Sequence, residues 1–337
     1  MTWTTAPTDA DWQTVVDMLV GGGPVLLLAH VAPDADAVGS ALAAGIALDR
    51  LGISVQVSFG DDPFEIPRVL RGLPGQQLLR APGELTPANS VVTFDVSSID
   101  RLGILASTAA ATPNFAAIDH HASYTGFAPV SVVDTTAPAT AVMTLELVDR
   151  LGVELDAEIA TCIYAGLITD TGSFRYFGTT PQTHHIAARL LGTGIRHDII
   201  SRHIYDDEPF AAVKLLGVAL SRSELDREAV NGLGLVSTYV TAQDRDVLGL
   251  PIDAVERVID ELRVATESEV ACVMKEEDLG AWRVSLRSKG RVDVSAATVQ
   301  LGGGGHRFAA GYTRVGERSC VLDELVAVLS SLPHLAE

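Results

Sequence analysis

The sequence predicts an α/β fold: a mostly parallel sheet covered by helices, followed by a second, smaller α+β domain. Three observations lead there. Short apolar runs alternate with helical patterns through the first half of the chain, as in parallel strands joined by helices. After "NGLG", residues 231–234, the texture changes to Val-rich strands around one shorter helix. The 337 residues, 47% hydrophobic and 20% charged, are enough for two cores. Aromatics make up only 5%, so Ala, Val, Leu and Ile build the interior.

"PVLLLAH" reads as a buried strand, and "DAVGSALAAGIALDRLG" as a helix closed by Gly52. "ISVQVSF", "SVVTFD" and "NFAAID" follow as strands, then "TTAPATAVMTLELVDRLG" and "LDAEIATCIYAGLITD" as helices. The next stretch is helical with polar interruptions and includes "EPFAAVKLLGVALSRSEL". It suits a connector. Beyond it come a strand in "LGLVSTYVT", a helix "IDAVERVIDELRVA", strands "EVACVMKEED" and "AWRVSLRSK", and the run "LGGGGH". The expected organisation is a larger α/β domain over 1–185, a helical connector over 186–229 and a smaller domain over 230–337.

Composition narrows the function classes. The formal net charge is −19, which argues against a long nucleic-acid tract, since that needs a basic face to replace phosphate counterions. No apolar run approaches the roughly 18 residues that span a bilayer. "MTWTTAPTDADW" lacks the basic segment and apolar core of a signal peptide. Cys162, Cys272 and Cys320 are widely spaced and odd in number, fitting neither a disulfide framework nor a zinc cluster. A cytoplasmic protein with no membrane partner is the expectation.

Acids recur where apolar strands end. His30, Asp34 and Asp36 follow the first strand, Asp95 ends "VVTFD", Asp119, His120 and His121 end "FAAIDHH", and Asp170 closes a helix. In open α/β sheets the carboxyl ends of strands share one edge, so these groups converge. Any single Asp after a strand serves equally well as the N-cap of the next helix. As a set they form a cluster that repels itself unless cations are present. Two divalent ions balance Asp34, Asp36, Asp95 and Asp170, while His30 and His120 add neutral nitrogen. Such donors suit Mn²⁺ or Mg²⁺, with Zn²⁺, Co²⁺ or Fe²⁺ as further options. Paired ions about 3.5–4 Å apart activate water and polarise a phosphoryl group.

The segments "HVAPDADAVGS", "VTFDVSSIDRLG", "AIDHH" and "LITDTGSFRYFGTT" resemble the DHH phosphoesterases. "SLRSKGRVDVSAAT" and "LGGGGHRFAAGY" resemble the substrate-binding domain associated with that family. The resemblance covers nearly the whole chain in the right order. It is nearest to the small stand-alone members that degrade nanoRNA and dephosphorylate 3′-phosphoadenosine 5′-phosphate; actinobacterial members also act on cyclic di-AMP and its linear product. It implies one ion held by His30, Asp34 and Asp95, and another held by Asp36, Asp95, His120 and Asp170, with Asp95 bridging. Mn²⁺ is the preferred ion, with Mg²⁺ or Co²⁺ as alternatives. His121 is implied either as a support for His120 behind the metal ligands or as a phosphate contact, Asp119 as a residue that orients a ligand, and Arg101 as a phosphate contact or an ordinary surface arginine. Arg175 and Tyr176 face the cleft or simply pack there.

In the second domain, "GGGGH" follows no P-loop pattern. Gly303, Gly304 and Gly305 let successive N–H groups turn toward an anion, with His306 as a further donor. With Arg287 and Ser288 nearby, the expected task is recognition of a terminal phosphate. "GGGP" at 21–24 precedes a strand and is a plain loop, and "THH" at 183–185, His197 and His203 read as structural or surface residues. The expected substrates are short nucleotides and dinucleotides, with a homodimer as an open option. A manganese-dependent inorganic pyrophosphatase of the same superfamily and a non-catalytic nucleotide sensor are the competing readings.

Overall fold

The computed structural model describes residues 6–277 and 280–335. The opening "MTWTT" and Asp278 of the expected strand "EVACVMKEED" lie outside the described residues. The chain divides into two compact units, Met1–Asp207 and Glu208–Glu337.

The first unit runs α1 (Asp9–Val20), β1 (Val25–Ala29), α2 (Ala35–Arg50), β2 (Val55–Phe59), β3 (Ser90–Phe94), α3 (Ala106–Ala111), β4 (Asn114–Asp119), β5 (Val130–Val133), α4 (Thr140–Arg150), α5 (Ala157–Asp170), α6 (Pro181–Leu191) and α7 (His197–Tyr205). Its five strands are all parallel, in the order β2-β1-β3-β4-β5. Leu27, Ala29, Val92, Phe94 and Ile118 point into one apolar cluster; Leu26, Leu28, Val91 and Ala117 point into another. The strands are therefore buried on both faces, which is why they read as continuous apolar runs.

Helix α2 is buried from Ala35 to Leu48 and lies against α5. Small residues permit that approach: a Cβ at Gly39 would lie 2.6 Å from the Cys162 carbonyl oxygen. Each fully buried Leu on α2, such as Leu42 and Leu48, contributes roughly 1.5–3 kcal/mol by leaving water. Three elements of this unit were not expected from sequence: α1, although it carries the helical spacing Trp12, Val15, Val16 and Leu19, the short Ala-rich helix α3, and β5. Helix α1 starts from a capping box between Thr8 and Asp11, and β5 is a four-residue edge strand.

The second unit contains α8 (Phe210–Ser221), β6 (Glu224–Asp226), α9 (Ala229–Gly232), β7 (Leu235–Val240), α10 (Ala242–Leu248), α11 (Val258–Leu262), β8 (Val270–Glu276), β9 (Ala281–Ser288), α12 (Val294–Gln300), β10 (Gly304–His306), β11 (Ala309–Val315) and α13 (Arg318–Ser331). Its sheet order is β10-β11-β9-β8-β7-β6, with β7 and β8 parallel and the other pairs antiparallel. One face packs Cys272, Met274, Val284, Leu286 and Tyr312 with residues of α12 and α13. Over β7 and β8 the other face packs with α8 and α11. Of the stretch expected to connect the domains, α6 and α7 group with the first unit and α8 with the second. The expected helix over 252–265 is shorter, a 3-10 turn Ile252–Val255 followed by α11. Between them, Glu256 keeps helical φ/ψ and pairs with the buried Lys275.

Candidate functional site

The strand order places a crevice between β1 and β3, where successive crossovers depart in opposite directions. Ligands of open α/β sheets bind at such a point, outside the carboxyl ends of the strands. His30 and Asp34 follow β1, Asp95 follows β3, and Asp119, His120 and His121 close β4. Asp170 arrives as the last residue of α5.

These residues form overlapping donor sets. His30, Asp34 and Asp95 offer one ligand atom each within 4.8 Å of one another, and so do Asp36, His120 and Asp170. Asp95 stands between the sets. Its Oδ2 lies 3.7 Å from His30 Nε2, and its Oδ1 lies 3.4 Å from His120 Nε2. His120 Nε2 is also 3.2 Å from Asp170 Oδ2 and 3.9 Å from Asp36 Oδ2. Asp95, Asp119 and His121 form a third group of the same kind.

Local structure fixes each donor. Asp34 is the N-cap of α2: its Oδ1 accepts the amides of Asp36 and Ala37, both at 3.0 Å, while Oδ2 faces His30 at 3.7 Å. Capping therefore uses one oxygen of the carboxylate and leaves the other facing His30. Asp36 is wholly buried and holds the start of α4, accepting the Thr140 amide on Oδ2 at 2.6 Å and the Ala141 amide on Oδ1 at 2.7 Å. Helix α4 has no side-chain cap of its own at Ala139. His120 donates from Nδ1 to the Ala137 carbonyl at 3.0 Å, which turns the Nε2 lone pair toward the acids. His30 Nδ1 lies 2.9 Å from the Val31 carbonyl and 3.0 Å from an Arg101 guanidinium nitrogen. Protonated, that nitrogen donates to Val31; unprotonated, it accepts from Arg101. Asp95 occupies the left-handed region at φ +62°, where Asp is tolerated better than most residues.

Charge is tightly coupled here. Burial pushes Asp36 well above the usual carboxylate range, and the charges of Asp95 and Asp170 add to the push. Burial likewise raises Asp170, against the His120 hydrogen bond. Burial would also raise Asp95, but His121, His120 and His30 hold it well below the usual range. The imidazoles respond in kind. Burial would lower His30, yet hydrogen bonds to Asp34 and Asp95 carry it up to about 10. His120 is raised well above its ordinary value, Asp170 and Asp95 overcoming burial, and His121 is raised by Asp119 and Asp95. Without cations, the cluster thus draws protons onto its imidazoles to supply positive charge. Carboxylate-rich donors with imidazole nitrogen, in two sets with the Asp95 carboxylate between them, fit a pair of hard divalent ions.

The remaining expected residues divide by unit. Asp119 Oδ1 accepts from His121 Nδ1 at 2.8 Å and so orients that ring, while its Oδ2 is buried without a hydrogen-bond partner. Arg175 and Tyr176 lie on the turn after Asp170, and both amides return to the Thr171 carbonyl. Arg175 is exposed with Nε on the Gly172 carbonyl at 2.6 Å, and the Tyr176 ring packs where a Cβ on Gly172 would stand.

In the second unit Arg287 pairs across the sheet with Ala309, and Ala309 with His306. Arg287 and His306 therefore share one face, on either side of a small residue. Ser288 alternates to the other face. Its hydroxyl donates to Glu269 at 2.7 Å and accepts the Gly290 and Val292 amides, organising the turn. The glycine run is a strand, not the expected nest: Gly304–His306 forms β10 at the sheet edge. Glycine is required there by close approach. A Cβ at Gly303 would lie 2.2 Å from the Gly311 carbonyl oxygen, and one at Gly305 would lie 2.6 Å from Ala310 Cα.

Two contributors went unread in the sequence. Thr140 donates its hydroxyl to Asp95 Oδ1 at 2.8 Å. The Asp61 carboxylate accepts the Ala32 amide at 2.9 and 3.0 Å, holding Ala32 at φ +51° in the loop between His30 and Asp34. Asp61 follows β2 as Asp95 follows β3, and that position was the available signal. Thr140 offered none beyond a small polar residue at a helix start.

Comparison with known proteins gives a consistent picture. Residues 24–167 match the DHH family, N-terminal domain, and residues 245–332 match the DHHA1 domain. The chain is 35% identical over 296 residues to the bifunctional oligoribonuclease and PAP phosphatase NrnA of Thermus thermophilus, covering 87% of this chain and 85% of that protein. Its Bacillus subtilis counterpart of the same name is 27% identical, over 58% of this chain and 60% of its own. Among solved structures, an exopolyphosphatase-related protein from Bacteroides fragilis superposes with a TM-score of 0.85 at 23% identity, covering 97% of both chains. RecJ from Thermus thermophilus, solved in complex with Mn²⁺, gives a TM-score of 0.56 at 16% identity, over 98% of this chain and 56% of its own. These two share the fold. Among the described residues, no helix is long and apolar enough to cross a membrane.

Proposed function

The chain belongs to the DHH family of phosphoesterases, and on that premise we propose a hydrolase that uses two divalent cations on short nucleotides. Its substrates are short oligoribonucleotides and linear dinucleotides such as pApA, cut to mononucleotides, and 3′-phosphoadenosine 5′-phosphate, dephosphorylated to AMP. The substrate class follows the relative from Thermus thermophilus, which shares 35% identity over most of both chains. The observation that carries the cation reading is the Asp95 carboxylate, with one oxygen toward His30 and the other toward His120. His30, Asp34 and Asp95 would hold one ion, and Asp36, Asp95, His120 and Asp170 the other, with Mn²⁺ preferred. Bound there, the ions supply Lewis-acid activation of water and charge neutralisation at phosphorus.

The protein's own groups do the rest. Asp119 holds His121 Nδ1 at 2.8 Å, so the ring presents Nε2 as a donor to a phosphoryl or leaving oxygen. Without cations, charge from Asp119 and Asp95 outweighs burial and raises the His121 ring above its ordinary value. Arg101, beside His30, offers a guanidinium to the same phosphate. In the second unit, Arg287 and His306 grip a terminal phosphate across Ala309, one strand apart on each side. Arg175 and Tyr176, on the turn after Asp170, are further substrate contacts in this proposal.

A substrate panel with Mn²⁺ tests this directly. We expect AMP from pApA and from the bisphosphorylated nucleoside, with loss of turnover in chelator. Cyclic di-AMP, which has no terminal phosphate, should be cleaved more slowly. Pyrophosphate as the one substrate turned over, or full activity in chelator, would refute the proposal.

A further inference from the structure

Thr140 has a specific task in this arrangement. We infer that it is a positioning residue that sets the rotation of the Asp95 carboxylate and the spacing between Asp95 and Asp36, and so tunes the protein for two cations. The inference rests on the paired-cation reading above and deepens it.

The torsion that turns a carboxylate is broad, with no sharp staggered wells to hold it. In the rotation seen here Asp95 addresses both donor sets, with Oδ2 toward His30 and Oδ1 toward His120. Its backbone does not settle the matter: the amide is committed to the Ile118 carbonyl at 3.0 Å, and φ is +62°. The Thr140 hydroxyl reaches Oδ1 at 2.8 Å. Thr140 is fully buried, so water does not compete for that bond. The same residue's amide holds Asp36 Oδ2 at 2.6 Å, and the next amide holds Asp36 Oδ1 at 2.7 Å.

One residue thus grips one acid with its main chain and the next with its side chain. The covalent geometry of Thr140 becomes the ruler between two carboxylates that would otherwise repel each other apart. Space is reserved around this junction as well, since a Cβ on Gly166 would lie 2.7 Å from Asp36 Oδ1. Ordering hydrogen bonds of this kind typically change metal affinity by about ten- to a hundredfold.

The test uses the full chain and Mn²⁺ alone, titrated by calorimetry and by the electron paramagnetic resonance of the unbound ion. Thr140→Val keeps the shape and the amide but removes the hydroxyl, and should bind Mn²⁺ about ten- to a hundredfold more weakly. Thr140→Ser restores the hydroxyl and should bind close to the parent. Should Thr140→Val fail to fold, Thr140→Ala removes the same hydroxyl without placing a methyl against Asp95, and the same loss is expected. Equal affinity in the parent and the hydroxyl-free variants would overturn the inference, and so would a Thr140→Ser protein as weak as Thr140→Ala. A hydroxyl-free variant that melts lower in chelator yet binds Mn²⁺ normally would reduce Thr140 to a packing residue, which also overturns it. If the parent itself binds no Mn²⁺, the cation reading fails first, and the two failures are distinguished.

Discussion

Asp95 stands between the two donor sets, and the two-cation proposal makes it a ligand in both. Replacing it by Ala removes a ligand atom from each, so Asp95→Ala should lose nearly all turnover on pApA while still folding. Substantial activity in that variant would count against a shared carboxylate. The buried imidazoles also set a pH signature. In chelator, protonated His30 and His120 stabilise the fold, because their folded-state values lie above the ordinary 6.5. That contribution is complete below about 6.5 and fades as the pH rises, for His30 through about 10. A cation replaces those protons, so its binding strengthens with pH. Mn²⁺ at a hundredfold excess over Kd adds about 2.7 kcal/mol. The gap in melting temperature between Mn²⁺ and chelator should therefore widen from about pH 6 to about pH 9. A constant gap would mean that the imidazoles and the ion do not compete.

At the scale of elements, the junction of α2, α4 and α5 makes the sharper prediction. Gly166→Ala puts a methyl group 2.7 Å from Asp36 Oδ1 and 2.8 Å from Ala141 Cβ. Such overpacking typically costs about 1–3 kcal/mol. We expect a lower melting temperature and a smaller Mn²⁺ shift than in Gly217→Ala, where a Cβ meets nothing within 4 Å. Similar behaviour of the two variants would show that the junction yields easily. This contrast also marks what could be read from sequence. His30, Asp34, Asp95 and Asp119 were legible because each follows an apolar run, and a parallel sheet gathers strand ends by itself. The start of α4 was not, since its cap comes from Asp36, a distant residue on another helix. The glycine run was misread for a related reason. Its composition permits both a nest and a strand, and only the closeness of Gly311 and Tyr312 decides for β10. Ser288 was misplaced by one residue of alternation, which moves a side chain to the opposite face.

Across the whole molecule, two units with separate cores permit a division of labour between chemistry and grip. A charge-assisted hydrogen bond is worth about 1.5–3 kcal/mol. Arg287→Ala and His306→Ala should each lower kcat/KM on pApA by about ten- to a hundredfold. Bis-p-nitrophenyl phosphate has no terminal phosphate to grip, and its hydrolysis should barely change. Equal losses on both substrates would place these residues in catalysis or folding instead. The parallel topology has a kinetic consequence too. The donors run along the chain from His30 to Asp170, and no short segment holds either complete set. A nascent or partly folded chain therefore offers an ion no site, so the ion cannot act as a nucleus for folding. On the two-cation reading the ion would arrive after the transition state and act as a latch. Interactions absent from the transition state slow unfolding and leave the folding rate alone. In denaturant-jump kinetics, Mn²⁺ should lower the unfolding limb of the chevron and leave the refolding limb where it is in chelator.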